Sequence, residues 1–190
     1  MVNSPEIENI IEQAVETAKN KRHKYCTVEH LLYALIKHPP FKKCLDTFGV
    51  EVELLTDEVD AYLNGLHAIE TTDPADVPKR TNSLERVMNR CVTQVLFTGR
   101  RQVTTIDLYL SIAAEGSSHA HYFLLKYGVN KSEFVNHWQR TYRGADYPTS
   151  LTENQADEIL EEYTVQRWGE GIVGRSNAGE TVTKGGIIIG

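Results

Sequence analysis

Residues 27–36 read Thr-Val-Glu-His-Leu-Leu-Tyr-Ala-Leu-Ile, and the architecture can be predicted by working outward from them. Their apolar side chains recur at the spacing of one face of an α-helix, at Val28, Leu31, Leu32, Leu35 and Ile36. Thr27 can cap this helix, since its hydroxyl can accept a hydrogen bond from an early backbone N–H. Pro39 and Pro40 should end it, because proline lacks an N–H and restricts the residue before it.

The same helical pattern occurs a second time. The stripe of the quoted stretch recurs as Ile106, Tyr109, Leu110, Ala113 and Ala114, with Thr105 in the place of Thr27. The earlier stripe Ile7, Ile10, Ile11, Ala14, Val15 and Ala18 recurs as Leu84, Val87, Met88, Cys91, Val92 and Val95. The later stripe Phe41, Cys44, Leu45 and Phe48, followed by Gly49-Val50, recurs as Ala120, Phe123, Leu124 and Tyr127, followed by Gly128-Val129. In this alignment the second copy gains one residue at each of the two connections, which tolerate insertions, so we predict two copies of one helical unit.

Each copy should contain four helices. The first copy spans about residues 4–66 and begins with the helix start Ser4-Pro5. The second spans about residues 82–140, where Asn82 and Glu85 can form a capping box. We therefore predict an all-α fold of two pseudo-repeats of four helices.

Two other segments lie outside the copies. Residues 67–81 have no apolar period and are predicted to be a linker. Residues 145–190 are predicted to be an extension beyond the domain at 1–144, with one possible helix at 151–163 and then a flexible Gly-rich tail.

Composition excludes several functions. The formal net charge of −6 argues against nucleic-acid binding, which needs clustered cations. No run of about 18 apolar residues is present, so we expect no membrane span, and the acidic N-terminus does not resemble a signal peptide. The three cysteines are an odd number, and two lie on apolar stripes, so we expect reduced thiols and a cytoplasmic protein.

The two copies, each with Thr-[Val/Ile]-[Glu/Asp] at the start of its second helix, resemble the double Clp-N repeat domain. This is the N-terminal domain of the ClpA, ClpB and ClpC unfoldases, and the similarity is closest to ClpA. The similarity is carried by His23-Lys24-Tyr25-Cys26-Thr27-Val28-Glu29-His30-Leu31-Leu32 and by Ser83-Leu84-Glu85-Arg86-Val87-Met88-Asn89-Arg90. It covers about residues 4–144.

The resemblance implies a mobile helical module that docks adaptors and substrates above an ATPase ring. In ClpA the adaptor is ClpS, and the contact would lie on the turn between the first two helices and at the start of the fifth. In this chain that surface would hold His23, Lys24, Glu29 and Thr81. One residue departs from the ClpA pattern, since Lys24 replaces an acidic residue and reverses the local charge, which would weaken or redirect an ionic contact.

The chain contains no Gly-x-x-x-x-Gly-Lys-[Ser/Thr] motif, so it has no phosphate-binding loop of that type. We therefore expect no ATPase within these 190 residues, and the extension favours a stand-alone protein over a fragment. A Clp ATPase ring could then act in trans.

A metal site or a catalytic pair could also be considered at the turn between the first two helices. His23, Cys26, Glu29 and His30 are metal-ligand types, but they lack a paired zinc-ligand frame, so we predict no metal. Cys26 and His30 could be a nucleophile and its base, although no third group is evident. The basic pairs Lys79-Arg80 and Arg100-Arg101 are best interpreted as a solvated linker and a solvated turn.

The sequence thus predicts a non-enzymatic module, without cofactors, that binds a ClpS-like adaptor or a protein substrate of a Clp protease. Two alternatives remain. The chain could be a decoy that regulates the protease, or a structural protein that reuses the fold.

Overall fold

The computed structural model describes residues 3–141 and confirms the predicted all-α fold. The first four helices are α1 (Pro5–Asn20), α2 (Val28–Lys37), α3 (Pro39–Phe48) and α4 (Val52–Asn64). The next four are α5 (Asn82–Phe97), α6 (Thr105–Ala113), α7 (His119–Lys126) and α8 (Lys131–Thr141). Two short strands, β1 (Tyr25–Cys26) and β2 (Lys79–Arg80), accompany them. The predicted helix at 151–163 and the tail after it lie outside the described residues.

The second helix of each copy is its centre. In the first copy α2 packs against α1, α3 and α4, and in the second α6 packs against α5, α7 and α8. The copies join because α2 also lies against α5, α6 and α7, while α3 lies against α8. Eight of the ten residues of α2 are buried, so this helix serves the core of both copies.

An aromatic cluster connects the copies. Phe41 of α3 lies 5.6 Å from Phe134 of α8, between ring centroids, and Tyr109 of α6 lies 4.9 Å from the same Phe134 ring. The Tyr109 hydroxyl donates a hydrogen bond of 3.2 Å to the backbone carbonyl of Val129. These rings are large buried apolar groups in offset contacts, which are favourable beyond area burial alone.

The correspondence between the copies differs from the predicted one at α2 and α6. The cap of α6 is Thr104, not Thr105, so Thr104 is the true counterpart of Thr27. Both extra residues of the second copy therefore lie in the connection between α6 and α7. Periodicity could not show this, because α6 is buried all round and its apolar residues fit either register.

The start of α5 is a second correction. Its cap is Thr81, whose hydroxyl accepts a hydrogen bond of 3.2 Å from the backbone N–H of Leu84, so Asn82 is already the first helical residue. Ser4 caps α1 in the same way, with a bond of 3.3 Å from the N–H of Ile7. The spacing from Ser4 to Thr81 equals the spacing from Thr27 to Thr104, so the first two helices of each copy align without an insertion between them.

Gly49 is the C-terminal cap of α3, and Gly128 follows the cap of α7, Tyr127. Both have positive φ, 102° and 74° respectively, a conformation that glycine adopts without steric cost.

The prediction that Arg100 lies on a solvated turn is wrong. Its guanidinium makes two hydrogen bonds, of 2.9 and 2.7 Å, to the carboxylate of Asp107. Asp107 is fully buried, and it also accepts bonds from the Thr104 N–H and the Gln94 amide, of 2.7 and 2.9 Å. The carboxylate caps α6 in the interior, so it needs a cation beside it.

The capping groups of α2 form a chain with defined directions. The backbone N–H of Thr27 donates to Nδ1 of His30 at 2.9 Å, so Nδ1 carries no proton. In the neutral ring the proton is then on Nε2, which lies 2.9 Å from Nδ1 of His23 and donates to it. Burial lowers the pKa of His30 to about 3, and it also lowers the pKa of His23. Glu70 raises the pKa of His23, whereas Lys21 and His67 lower it.

We predict that Asp107→Asn destabilises the fold by on the order of 3 kcal/mol, because the Arg100 side chain, which is only 10% exposed, is left without its countercharge. The measurement is urea unfolding of the whole chain followed by circular dichroism. Glu53→Gln is the control. It also removes the carboxylate of an ion pair, with Lys42, but the Glu53 side chain is 80% exposed, so stability should change by less than about 0.5 kcal/mol. Equal stability losses in the two variants would contradict the prediction.

We also predict that acid destabilises the fold through His30. The folded state holds this ring neutral, whereas the unfolded chain takes up a proton near pH 6.5, so stability is present above pH 6.5 and is lost as the pH falls towards 3. Between pH 7 and pH 5 the loss from this one group is roughly 2 kcal/mol.

The comparison variant for this prediction is His30→Asn, whose side-chain oxygen can accept the Thr27 N–H but does not titrate. Urea midpoints should fall less steeply with acid in this variant, whatever its stability at pH 7. Parallel pH profiles for the two proteins would show that His30 is not the titrating group.

Candidate functional site

The turn between α1 and α2 is joined to the inter-copy linker by a pair of parallel strands. Tyr25 lies opposite Lys79 and Cys26 lies opposite Arg80. The N–H of Lys79 donates to the carbonyl of Lys24 at 3.0 Å, and the N–H of Thr81 donates to the carbonyl of Cys26 at 3.1 Å. We call this surface, residues 22–27 and 77–81, the strand junction.

The linker is therefore more ordered than the sequence predicts. It contains a 3₁₀ turn at His67–Ile69, and β2 lies at its end. The N–H of Lys24 donates to the carbonyl of Ile69 at 2.8 Å, and the N–H of Thr71 donates to the carbonyl of Arg22 at 2.7 Å. A strand of two residues is too short to show alternating apolar and polar residues in the sequence, so it is recognised only through its pairing with β1.

Two of the four predicted contact residues meet at the strand junction. Lys24 is exposed on the turn, and Thr81 is partly exposed at the start of α5, where it caps the helix. Any contact that either makes with a partner remains a prediction.

The other two were expected on the surface, and the structure places them inside. His23 is only 1% exposed and bonds to His30, while Glu29 is 7% exposed. The Glu29 carboxylate accepts a hydrogen bond of 3.1 Å from the N–H of Ala120, at the start of α7. An anion at a helix N-terminus is favourable, so Glu29 connects the two copies. The linker lies against His23, and the start of α7 lies against Glu29, and neither of these partners is evident from the sequence around the two residues.

Sequence reasoning missed the exposed apolar residues of the strand junction. Tyr25 is 40% exposed and Val77 is 69% exposed. Val77 lies two residues before Lys79, the first residue of β2. Arg22, Lys24, Lys79 and Arg80 are exposed around them. The sequence feature that could have pointed to this surface is the basic pair Lys79-Arg80. Because residues 67–81 have no apolar period, this pair looked like part of a solvated linker.

A polar groove of about 580 Å³ adjoins the strand junction. It follows α1 on the side facing α2 and α4, and its walls include Gln13, Thr17, Asn20, Tyr33 and Asn64. His23 and Glu70 line it as well, so it reaches the turn and the linker. Its lining combines uncharged donors and acceptors with the charged side chains of Glu16, Lys21, Lys37 and Glu70.

The pairing of Cys26 with His30 has no catalytic geometry. His30 uses its two ring nitrogens on Thr27 and His23, so neither is left for a thiol or a carboxylate. Burial raises the pKa of the Cys26 thiol to about 12, which keeps it protonated and unreactive at neutral pH. Within residues 3–141 no three His, Cys, Asp or Glu side chains form a metal-binding group.

No helix in the described part of the chain has the length and apolar content needed to cross a membrane.

Comparison with known proteins agrees with this fold. Residues 3–127 match the family model of the Clp repeat (R) N-terminal domain. A ClpA homolog protein of Fuscovulum blasticum is 29% identical over 174 residues, covering 83% of this chain and 22% of that protein. The chaperone protein ClpB of Chlamydia muridarum is 29% identical over 154 residues, covering 79% of this chain and 15% of that protein. The chain thus spans about a fifth or less of the length of these relatives.

Solved structures share the fold at low sequence identity. The Hsp104 N-terminal domain from Candida albicans has a TM-score of 0.66 at 16% identity, covering 83% of this chain and 99% of that one. A protein from a structural investigation of a malarial protein secretion system has a TM-score of 0.66 at 13% identity, covering 77% of this chain and 98% of that one. With the family model matched across most of the described helices, the chain belongs to the Clp repeat (R) N-terminal domain family.

Proposed function

We propose that this domain is a non-enzymatic docking module, which holds a ClpS-like adaptor or an exposed substrate segment for a Clp ATPase. Clp N-terminal domains bind adaptors and substrates in Clp ATPase systems, which supports the general role. The observation that carries the proposal is the strand junction, where Tyr25 and Lys24 of the first copy lie exposed beside Thr81 of the second. These 190 residues lack the phosphate-binding loop, so the ATPase activity would come from outside them.

The backbone of the strand junction suits a docking surface. Its turn and linker satisfy each other's backbone groups through four hydrogen bonds of 2.7 to 3.1 Å, from Lys24, Thr71, Lys79 and Thr81. A surface held in this way needs little ordering when a partner binds, so less conformational entropy is lost. An exposed aromatic ring with a cation beside it is also a favoured contact pair at protein interfaces.

The small size of the site points to a reversible contact. The strand junction consists of residues 22–27 and 77–81, which is fewer than the roughly 20 to 30 residues that each partner contributes to a stable complex. A module that passes its cargo to an ATPase needs rapid release, and weak binding provides it.

We predict that the chain binds a purified ClpS-like adaptor saturably and one to one in isothermal titration calorimetry. The double variant Tyr25→Ala, Lys24→Ala should bind at least about tenfold more weakly, since it removes the exposed ring and the charge beside it.

The matched control is Phe97→Ala with Arg101→Ala, which also removes one exposed ring and one exposed cation. Phe97 is the last residue of α5, roughly 24 Å along the helix from Thr81, and Arg101 lies four residues beyond it, so this variant should bind as the unmodified chain does. An absence of heat and of any complex at high micromolar adaptor would refute the proposal, as would equal losses in both variants.

A further inference from the structure

The strand junction has a local excess of positive charge. Arg22, Lys24, Lys79 and Arg80 are all exposed there. Within the described part of the chain, the ion pair that involves these four is a long contact of 3.8 Å between Arg80 and Glu85. The whole chain carries a formal net charge of −6, so this cationic surface is opposite in sign to the protein as a whole.

The acidic side chains nearby are used within the linker itself. Glu70 bonds to the ring of His67 at 3.1 Å, and Asp73 accepts the N–H of Ala75 at 2.9 Å. Asp76 accepts a hydrogen bond from the hydroxyl of Thr71. All three bonds lie within the linker. The carboxylates of Glu70, Asp73 and Asp76 therefore contact other linker residues, and none of them forms an ion pair with Lys24 or Lys79.

Two exposed apolar side chains accompany this charge. Tyr25 pairs with Lys79 in the strand register, and Val77 lies two residues before Lys79. Lys24 precedes Tyr25 and Arg80 follows Lys79, so each of these cations adjoins the pair in the chain. An apolar centre with a charged rim is the usual arrangement of a protein docking surface.

We propose that the strand junction binds an acidic protein segment, with an apolar side chain resting on Tyr25 and Val77 and carboxylates against Lys24 and Lys79. This inference rests on the proposed docking function and names the chemistry of the partner. Opposite charge steers the encounter and selects among partners, so acidic segments should be captured in preference to neutral ones.

The test is fluorescence anisotropy of the whole chain with three end-labelled peptides of equal length, in which Leu and Phe alternate with Glu, Gln or Lys. At about 50 mM salt the Glu peptide should bind at least about fivefold more tightly than the Gln peptide, and the Lys peptide should not bind. Raising the salt to about 300 mM should weaken binding of the Glu peptide more than that of the Gln peptide.

Charge reversal gives the decisive variant. Lys24→Glu with Lys79→Glu should weaken binding of the Glu peptide at least about tenfold and improve binding of the Lys peptide, while circular dichroism shows an intact fold. The control Lys43→Glu with Arg101→Glu makes the same change of charge at exposed positions outside the strand junction, and it should leave the preference intact.

The outcomes separate this inference from the proposed function. If the adaptor binds the unmodified chain and the charge-reversed variant equally well, docking stands and the acidic-partner inference is overturned. Equal binding of the Glu and Gln peptides overturns it as well, and so does tighter binding of a short single-stranded RNA than of the Glu peptide. If neither adaptor nor any peptide binds, both proposals fall.

Discussion

The burial of α2 against helices of both copies is the constraint on which the rest of the structure depends. A helix enclosed on nearly all sides cannot leave polar groups without partners, because each unsatisfied group costs free energy in the interior. Its first turn nevertheless carries Glu29 and His30. Glu29 is satisfied by the N-terminus of α7, and His30 by Thr27 and His23. The polar residues at this helix start therefore hold the two copies and the first turn together.

The two copies solve the same problem with different chemistry. In both, the third helical residue reaches back to the capping threonine, but it is His30 in the first copy and Asp107 in the second. A neutral imidazole needs only a second ring to accept its proton. A buried carboxylate needs a cation and further donors, and Arg100 and Gln94 supply them. The same capping box therefore depends on pH in the first copy, where His30 must stay neutral, and on an ion pair in the second copy.

The strand junction shows how a linker can become part of a binding surface. Residues 67–81 connect the copies, but their hydrogen bonds return to the first turn and fix it. As a result, exposed cations and apolar side chains from distant parts of the sequence lie close together. Each segment contributes two cations and one apolar side chain, Tyr25 or Val77, so the proposed acidic partner would bind where the two segments pair.

Much of the architecture could be predicted from local and periodic features of the chain. The apolar stripes located the helices, and Ser4 and Thr27 marked two of their starts, because capping and helix periodicity act over only a few residues. Periodicity reports which face of a helix is covered, but it does not report what covers it. The burial of His23 and Glu29, the pairing of Arg100 with Asp107 and the parallel strands at Tyr25 and Lys79 all depend on partners brought close by folding. The register of α6 was likewise undetermined, since a helix buried on every side has no exposed face to mark it. Tertiary contacts therefore decided which polar residues face the interior and which remain on the surface for a partner.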